Sequence, residues 1–185
     1  IPVTTRRYPR SMGDVDLEYF ARVQISYEVR TLFGQVVELL QRDREPWDPV
    51  YLALVEAPLV HLRALDDFLG MRAKKARKDD VVAEHYLPGG ISWKPTTFLD
   101  DDTRGAINAQ LQHLAGRRET GYSWDFPMMC IAFIDGFLDF TEALGASDQG
   151  GGVNRAKWFT EPIDLCRIVH GLSQLVDGPF DEHGS

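Results

Sequence analysis

The sequence predicts an all-α fold, a single-domain bundle of four to five helices with an irregular, packed connection at about 71–99. Three observations lead there. Apolar residues recur at helical spacing along several long stretches. No run alternates polar and apolar residues, and no Asn-Gly hairpin signal occurs. The chain has 185 residues, enough to bury most of its apolar surface around one core. Residues 1–13 read as an extended N-terminal arm and 14–185 as the helical domain.

The first predicted helix follows Asp14, a suitable N-cap. Its apolar stripe is Leu17, Phe20, Val23, Tyr27, Gly34, Val37 and Leu40, the face expected to meet the core. Asp16 and Glu18 suit its positive end, Arg42 and Arg44 its negative end, and Pro46 stops it. A second helix is predicted from about Pro49 to Leu69, with Leu54, Val55, Leu62, Leu65, Phe68 and Leu69 inward and Gly70 ending it. Pro58 withholds a backbone donor and crowds the preceding turn, so a kink or break is expected between Ala57 and Leu59.

The connection after Gly70 contains Val81, Val82, Tyr86, Leu87, Ile91 and Trp93, too apolar for a free linker, and is expected to pack on the bundle. A third helix over about Asp100–Arg118 has an acidic start and a basic finish, with Ile107, Leu111 and Leu114 inward. The fourth, PMMCIAFIDGFLDFTEAL, carries proline in its first turn and is apolar nearly all round, which predicts the most buried helix. A glycine-rich turn near 150–152 precedes a short fifth helix with Thr160 as cap and Pro162 in its first turn.

The formal net charge is −8, which argues against whole-surface binding of nucleic acid. Local basic segments remain, RAKKARK at 72–78 and the pair Arg117 and Arg118. Cys130 and Cys166 sit in apolar surroundings and read as small buried hydrophobes, which together with the absence of a disulfide pattern predicts a cytoplasmic setting. No apolar run approaches the roughly 20 residues that span a bilayer, so no membrane partner is expected.

Within PLVHLRALDDFLG, residues 58–70, four titratable groups crowd together. Helical geometry separates them: His61 lies with Leu65 and Phe68, while Arg63 is roughly 200° away and reaches Asp66 or Asp67 as a helix-surface ion pair. An imidazole on an apolar face needs a hydrogen-bond partner. The third helix near His113, with the Asp79–Tyr86 segment closing over, is the expected one. That helix also carries a polar stripe, Arg104, Asn108 and Gln112, and the pair His113 and Arg117. Imidazole and guanidinium together can cleave RNA without metal, one moving protons and the other stabilising the phosphorane.

His61, Asp66, Asp67, Asp79, Asp80, Glu84, His85 and His113 include metal-ligand types, but neither Glu-x-x-His nor His-Glu-x-x-His occurs, and no metal or cofactor is assigned. There is no Gly-x-Ser-x-Gly elbow and no P-loop ending at GGGVNR.

Three segments taken in order, HLRALDDFL at 61–69, DDVVAEHYLP at 79–88 and INAQLQHL at 107–114, resemble a group of uncharacterised small bacterial helical proteins. The arrangement is more distantly similar to the HEPN class of helical bundles, many of which are metal-independent RNases or nucleotide-binding relatives. Their usual Arg and His are separated by four to six residues, whereas eight lie between Arg104 and His113. The resemblance implies a pocket of His61, Arg63 and His113 as catalytic candidates, with Asp79, Asp80, Glu84 and Asn108 as ligand-binding ones. The expected function is binding of RNA, a nucleotide or another phosphate-bearing ligand, with RNase-like hydrolysis if the protein is an enzyme. The alternative is a non-enzymatic interaction or scaffold protein acting as a helical dimer or on a protein partner, its Trp93, Trp124 and Trp158 serving as interface anchors.

Overall fold

The computed structural model describes residues 16–42, 48–88, 91, 93–112, 123–147 and 154–176. Among these the fold is all-α: five helices, short 3₁₀ turns and no strand. The predicted arm 1–13, the cap Asp14, Arg44, Pro46, His113, Arg117, Arg118 and the glycines 150–152 lie outside the described residues.

Helix α1 begins at Leu17–Tyr19, passes through a π-helical turn at Phe20–Ile25 and continues as Ser26–Leu40. Asp16 caps it, accepting the Tyr19 N–H at 2.9 Å. Its buried residues are Ala21, Ile25, Val29, Leu32, Phe33, Val36 and Leu39. Of the predicted stripe, Leu17 and Phe20 pack against the core, but from Val23 on α1 turns a second apolar stripe inward. Val23, Tyr27, Val37 and Leu40 are instead 42–62% exposed.

Helix α2, Pro49–Gly70, starts on the Asp48 cap and runs without a break through the buried Pro58. Proline inside a helix costs about 3 kcal/mol. Fully burying a leucine returns about 1.5–3 kcal/mol, and Leu59, Leu62, Leu65 and Leu69 are all at most 1% exposed, so packing carries the helix past the proline unbroken. Gly70 ends α2 where Thr97 crosses: a Cβ there would lie 2.4 Å from the Thr97 methyl.

The 71–99 connection packs as expected, through 3₁₀ turns at Ala73–Lys75 and Ala83–Tyr86. Val81, Val82 and Tyr86 are buried. Helix α3, Asp101–Gln112, is capped by Asp100, which accepts the Thr103 N–H at 2.6 Å. Helix α4, Phe126–Ser147, supplies Phe133, Phe137 and Phe140 to an aromatic cluster with Phe68, Tyr86 and Phe159. Helix α5, Thr160–Val176, grows out of a 3₁₀ turn at Arg155–Phe159 capped by Asn154. Thr160 is therefore not the cap; its hydroxyl donates to the Lys157 carbonyl. The main layers are α1 on α2, α4 on α2 and α5, and α3 on α2.

Candidate functional site

The α1–α2 contact answers what His61 touches. Its imidazole is 8% exposed, and Nδ1 lies 2.6 Å from Glu28 Oε2 on α1. A carboxylate only accepts, so Nδ1 donates. The Tyr27 ring stands edge-on to the imidazole, centroids 5.9 Å apart. The described hydrogen-bond partner is thus on the first helix, where Glu28 projects from the edge of the α1 face that packs against α2; the expected neighbour His113 lies outside the described residues. A carboxylate that orients an imidazole is also a catalytic arrangement, but burial leaves this ring little access.

The α2–α3 contact uses the two aspartates. Asp66 is 1% exposed. Its Oδ1 accepts the backbone N–H groups of Phe98 and Leu99 at 2.8 and 3.0 Å, tying the chain just ahead of α3 to the end of α2. Its Oδ2 lies 2.5 Å from Arg104 Nη1, yet no N–H is aligned on it. The contact is charge proximity without a hydrogen bond. Burial pushes the Asp66 carboxyl above the usual carboxylate range, outweighing the Leu99 N–H, Arg104 and the Phe98 N–H, which pull the other way.

Arg104 also donates from Nη2 to Asp67 Oδ1 at 2.6 Å. The expected surface pair is correspondingly weak, since Arg63 Nε is 3.9 Å from Asp67 Oδ2 and Asp66 is turned into the core. Arg63 Nη1 and Asn108 Oδ1 are both buried atoms without a hydrogen-bond partner. Their helices are bracketed by the Arg104–Asp67 contact at one end and by Gln110 and Glu56, 3.4 Å apart, at the other.

In the connection, the residues expected to bind ligand hold the backbone. Glu84 Oε2 accepts the Ala73 N–H at 2.6 Å, Asp80 accepts the Arg77 N–H at 2.8 Å, and Asp79 is exposed. His85 Nδ1 accepts the Val82 N–H at 3.2 Å. Desolvation lowers the His85 pKa against a smaller opposing pull from Glu84. Tyr86 donates to the Leu17 carbonyl at 3.0 Å, and burial raises its phenol pKa.

Of the predicted pocket, His61 pairs with Glu28 of α1 while Arg63 lies beside Asp67 of its own helix, Glu84 and Asp80 are engaged locally, and His113 lies outside the described residues. Among the described residues no group of three or more His, Cys, Asp or Glu is placed to hold a metal ion. No described helix is long and apolar enough to cross a membrane. Trp93, Trp124 and Trp158 are part-buried and pack against the core; Trp93 donates to Asp139 at 3.0 Å. What periodicity missed is which stripe of α1 is buried, since Val23, Tyr27, Val37 and Leu40 are exposed. The readable signal was the second stripe, Ala21, Ile25, Val29, Leu32, Val36 and Leu39, on the same helix. No family model, curated protein or solved structure matches the chain.

Proposed function

We propose that the protein is a non-enzymatic interaction protein that works as a helical homodimer through the outer face of α1. One observation carries this reading: Val23, Tyr27 and Val37 recur at helical spacing with Leu40 at their flank, all of them solvent-exposed. Gly34 lies within the stripe with nothing within 4 Å of where its Cβ would be. A glycine there lets a second helix approach closely, and a second copy presents the same apolar stripe and the same glycine, as a two-fold interface requires. Such an interface needs about 800 Å² per partner, with Tyr27 the residue type that anchors it.

Sedimentation velocity tests the reading. The wild type is expected at twice the 20.9 kDa chain mass, and Val37→Glu as a monomer of unchanged helicity. A wild type that stays monomeric at hundreds of micromolar defeats it.

A second reading rests on the unpartnered Arg63 Nη1. A guanidinium with an unpaired N–H suits a phosphate-bearing ligand or RNA, although that nitrogen is buried and Asp66, Asp67 and Glu56 on the same helix weigh against an anion there. Hydrolysis would further need an imidazole on the Arg63 side, and His61 is held by Glu28. Fluorescence anisotropy with a labelled oligoribonucleotide and with ATP separates the readings. Binding that Arg63→Gln removes favours the second, and no binding at millimolar ligand leaves the first.

A further inference from the structure

A cleft of about 450 Å³ lies between the π-helical turn of α1 and the start of α5, lined by Arg22, Ser26, Lys157, Trp158, Glu161 and Asp164 among others. Its size falls in the range of small-molecule sites, roughly 300–1,000 Å³. π-Turns interrupt the α-helical ladder and recur at functional positions. This one places Arg22 within the turn and Ser26 at its end.

Ser26 supplies an independent pointer to a ligand. The residue lines the cleft yet is 3% exposed, and its buried hydroxyl has no hydrogen-bond partner. A buried hydroxyl left unpaired is a cost that a ligand can remove.

The charges on the wall state the class. Arg22 and Lys157 oppose Glu161 and Asp164, a formal sum of zero. Arg22 is engaged by Glu18 at 2.7 Å and Glu161 by Arg30 at 3.5 Å. Lys157 and Asp164 have no ion pair among the described residues. They stand seven residues apart across the 3₁₀ turn and the first turn of α5, roughly 12 Å of rise. Trp158, Leu165 and Ile168 line the same cleft with apolar surface. We infer that the cleft binds a small zwitterion whose charges are well separated, a dipeptide with apolar side chains, its carboxylate at Lys157 and its ammonium at Asp164. The Ser26 hydroxyl takes a polar group of the peptide between them. The inference does not rest on the dimer.

Isothermal titration of the full chain with Leu-Leu tests this, beside leucine, N-acetyl-Leu-Leu and Leu-Leu amide. Leu-Leu is expected to bind, with leucine and each blocked form weaker by at least about tenfold, the cost of one lost charge-assisted contact. Lys157→Gln should erase the preference for Leu-Leu over its amide, and Asp164→Asn the preference over its acetyl form. Ser26→Ala should weaken binding while leaving the unliganded protein as stable or more stable, a pairing that a merely structural serine does not produce. No heat with 10 mM Leu-Leu overturns the site. Blocked forms binding as well as Leu-Leu overturn the charge reading, and leucine binding equally well overturns the separated spacing.

Discussion

Replacing Asp66 separates two roles that its carboxyl could play. As an acceptor it satisfies the Phe98 and Leu99 N–H groups; as a charge it faces Arg104. Orphaning a buried N–H costs about 1–3 kcal/mol, so Asp66→Ala is expected to lose about 2–6 kcal/mol through the two amides. Asp66→Asn keeps an oxygen for both amides, and Arg104 keeps Asp67 as its partner. Its expected loss is within about 1 kcal/mol, because Arg104 is partly exposed and retains the Asp67 carboxylate. Urea unfolding reads the difference: at an m-value of about 2 kcal/mol/M, a 3 kcal/mol loss moves the midpoint by about 1.5 M.

The pH dependence has a defined sign. The folded-state pKa of Asp66 is raised above 3.8, so its stabilising contribution is complete below 3.8 and is lost as pH rises through the folded value. Wild type should therefore gain on Asp66→Asn as pH falls from 7 toward 4. An Asn variant as unstable as the Ala variant would refute the reasoning, because the ion pair and not the acceptor would then hold the α2–α3 junction.

Three further outcomes are expected. The His85 pKa is depressed by burial, so the stability it confers is present above pH 6.5 and lost as pH falls through the folded value; urea midpoints from pH 7.5 to 5 should fall in wild type and flatten in His85→Gln. Burial pushes the Cys130 and Cys166 thiols up to about 12, so iodoacetamide at pH 8 should label neither until urea unfolds the chain. Gly70→Ala drives a methyl against Thr97 and its backbone, an overpacking cost of about 1–3 kcal/mol, whereas Gly105→Ala, in open space on α3, should not destabilise; calorimetric melting compares them.

The helix positions were legible because apolar spacing, the acidic start of α3 and the caps and glycines at element ends are local signals. The phase of α1 was not, since two apolar stripes compete and the π-turn at Phe20–Ile25 depends on packing rather than on any residue type. Pro58 was read by its local cost, and the leucines that offset it act only once the core exists. Pairings such as His61 with Glu28 or Asp66 with Leu99 join residues 33 apart. Nothing in the chain order distinguishes Glu28 from the other carboxylates near an exposed helix edge, and Asp66 and Asp67 look equivalent until α3 docks.

Disulfide trapping tests the dimer most directly. Gly34→Cys places a thiol in the exposed stripe, while the native cysteines are at most 4% exposed and silent. Crossing helices that meet at this glycine bring the two Cα atoms within the roughly 4.4–6.8 Å that a disulfide requires. The account predicts a covalent dimer of Gly34→Cys under mild oxidation, and none from a control thiol at the exposed Glu142 on α4. A Gly34→Cys protein that remains a single chain, or equal cross-linking at both positions, would contradict it.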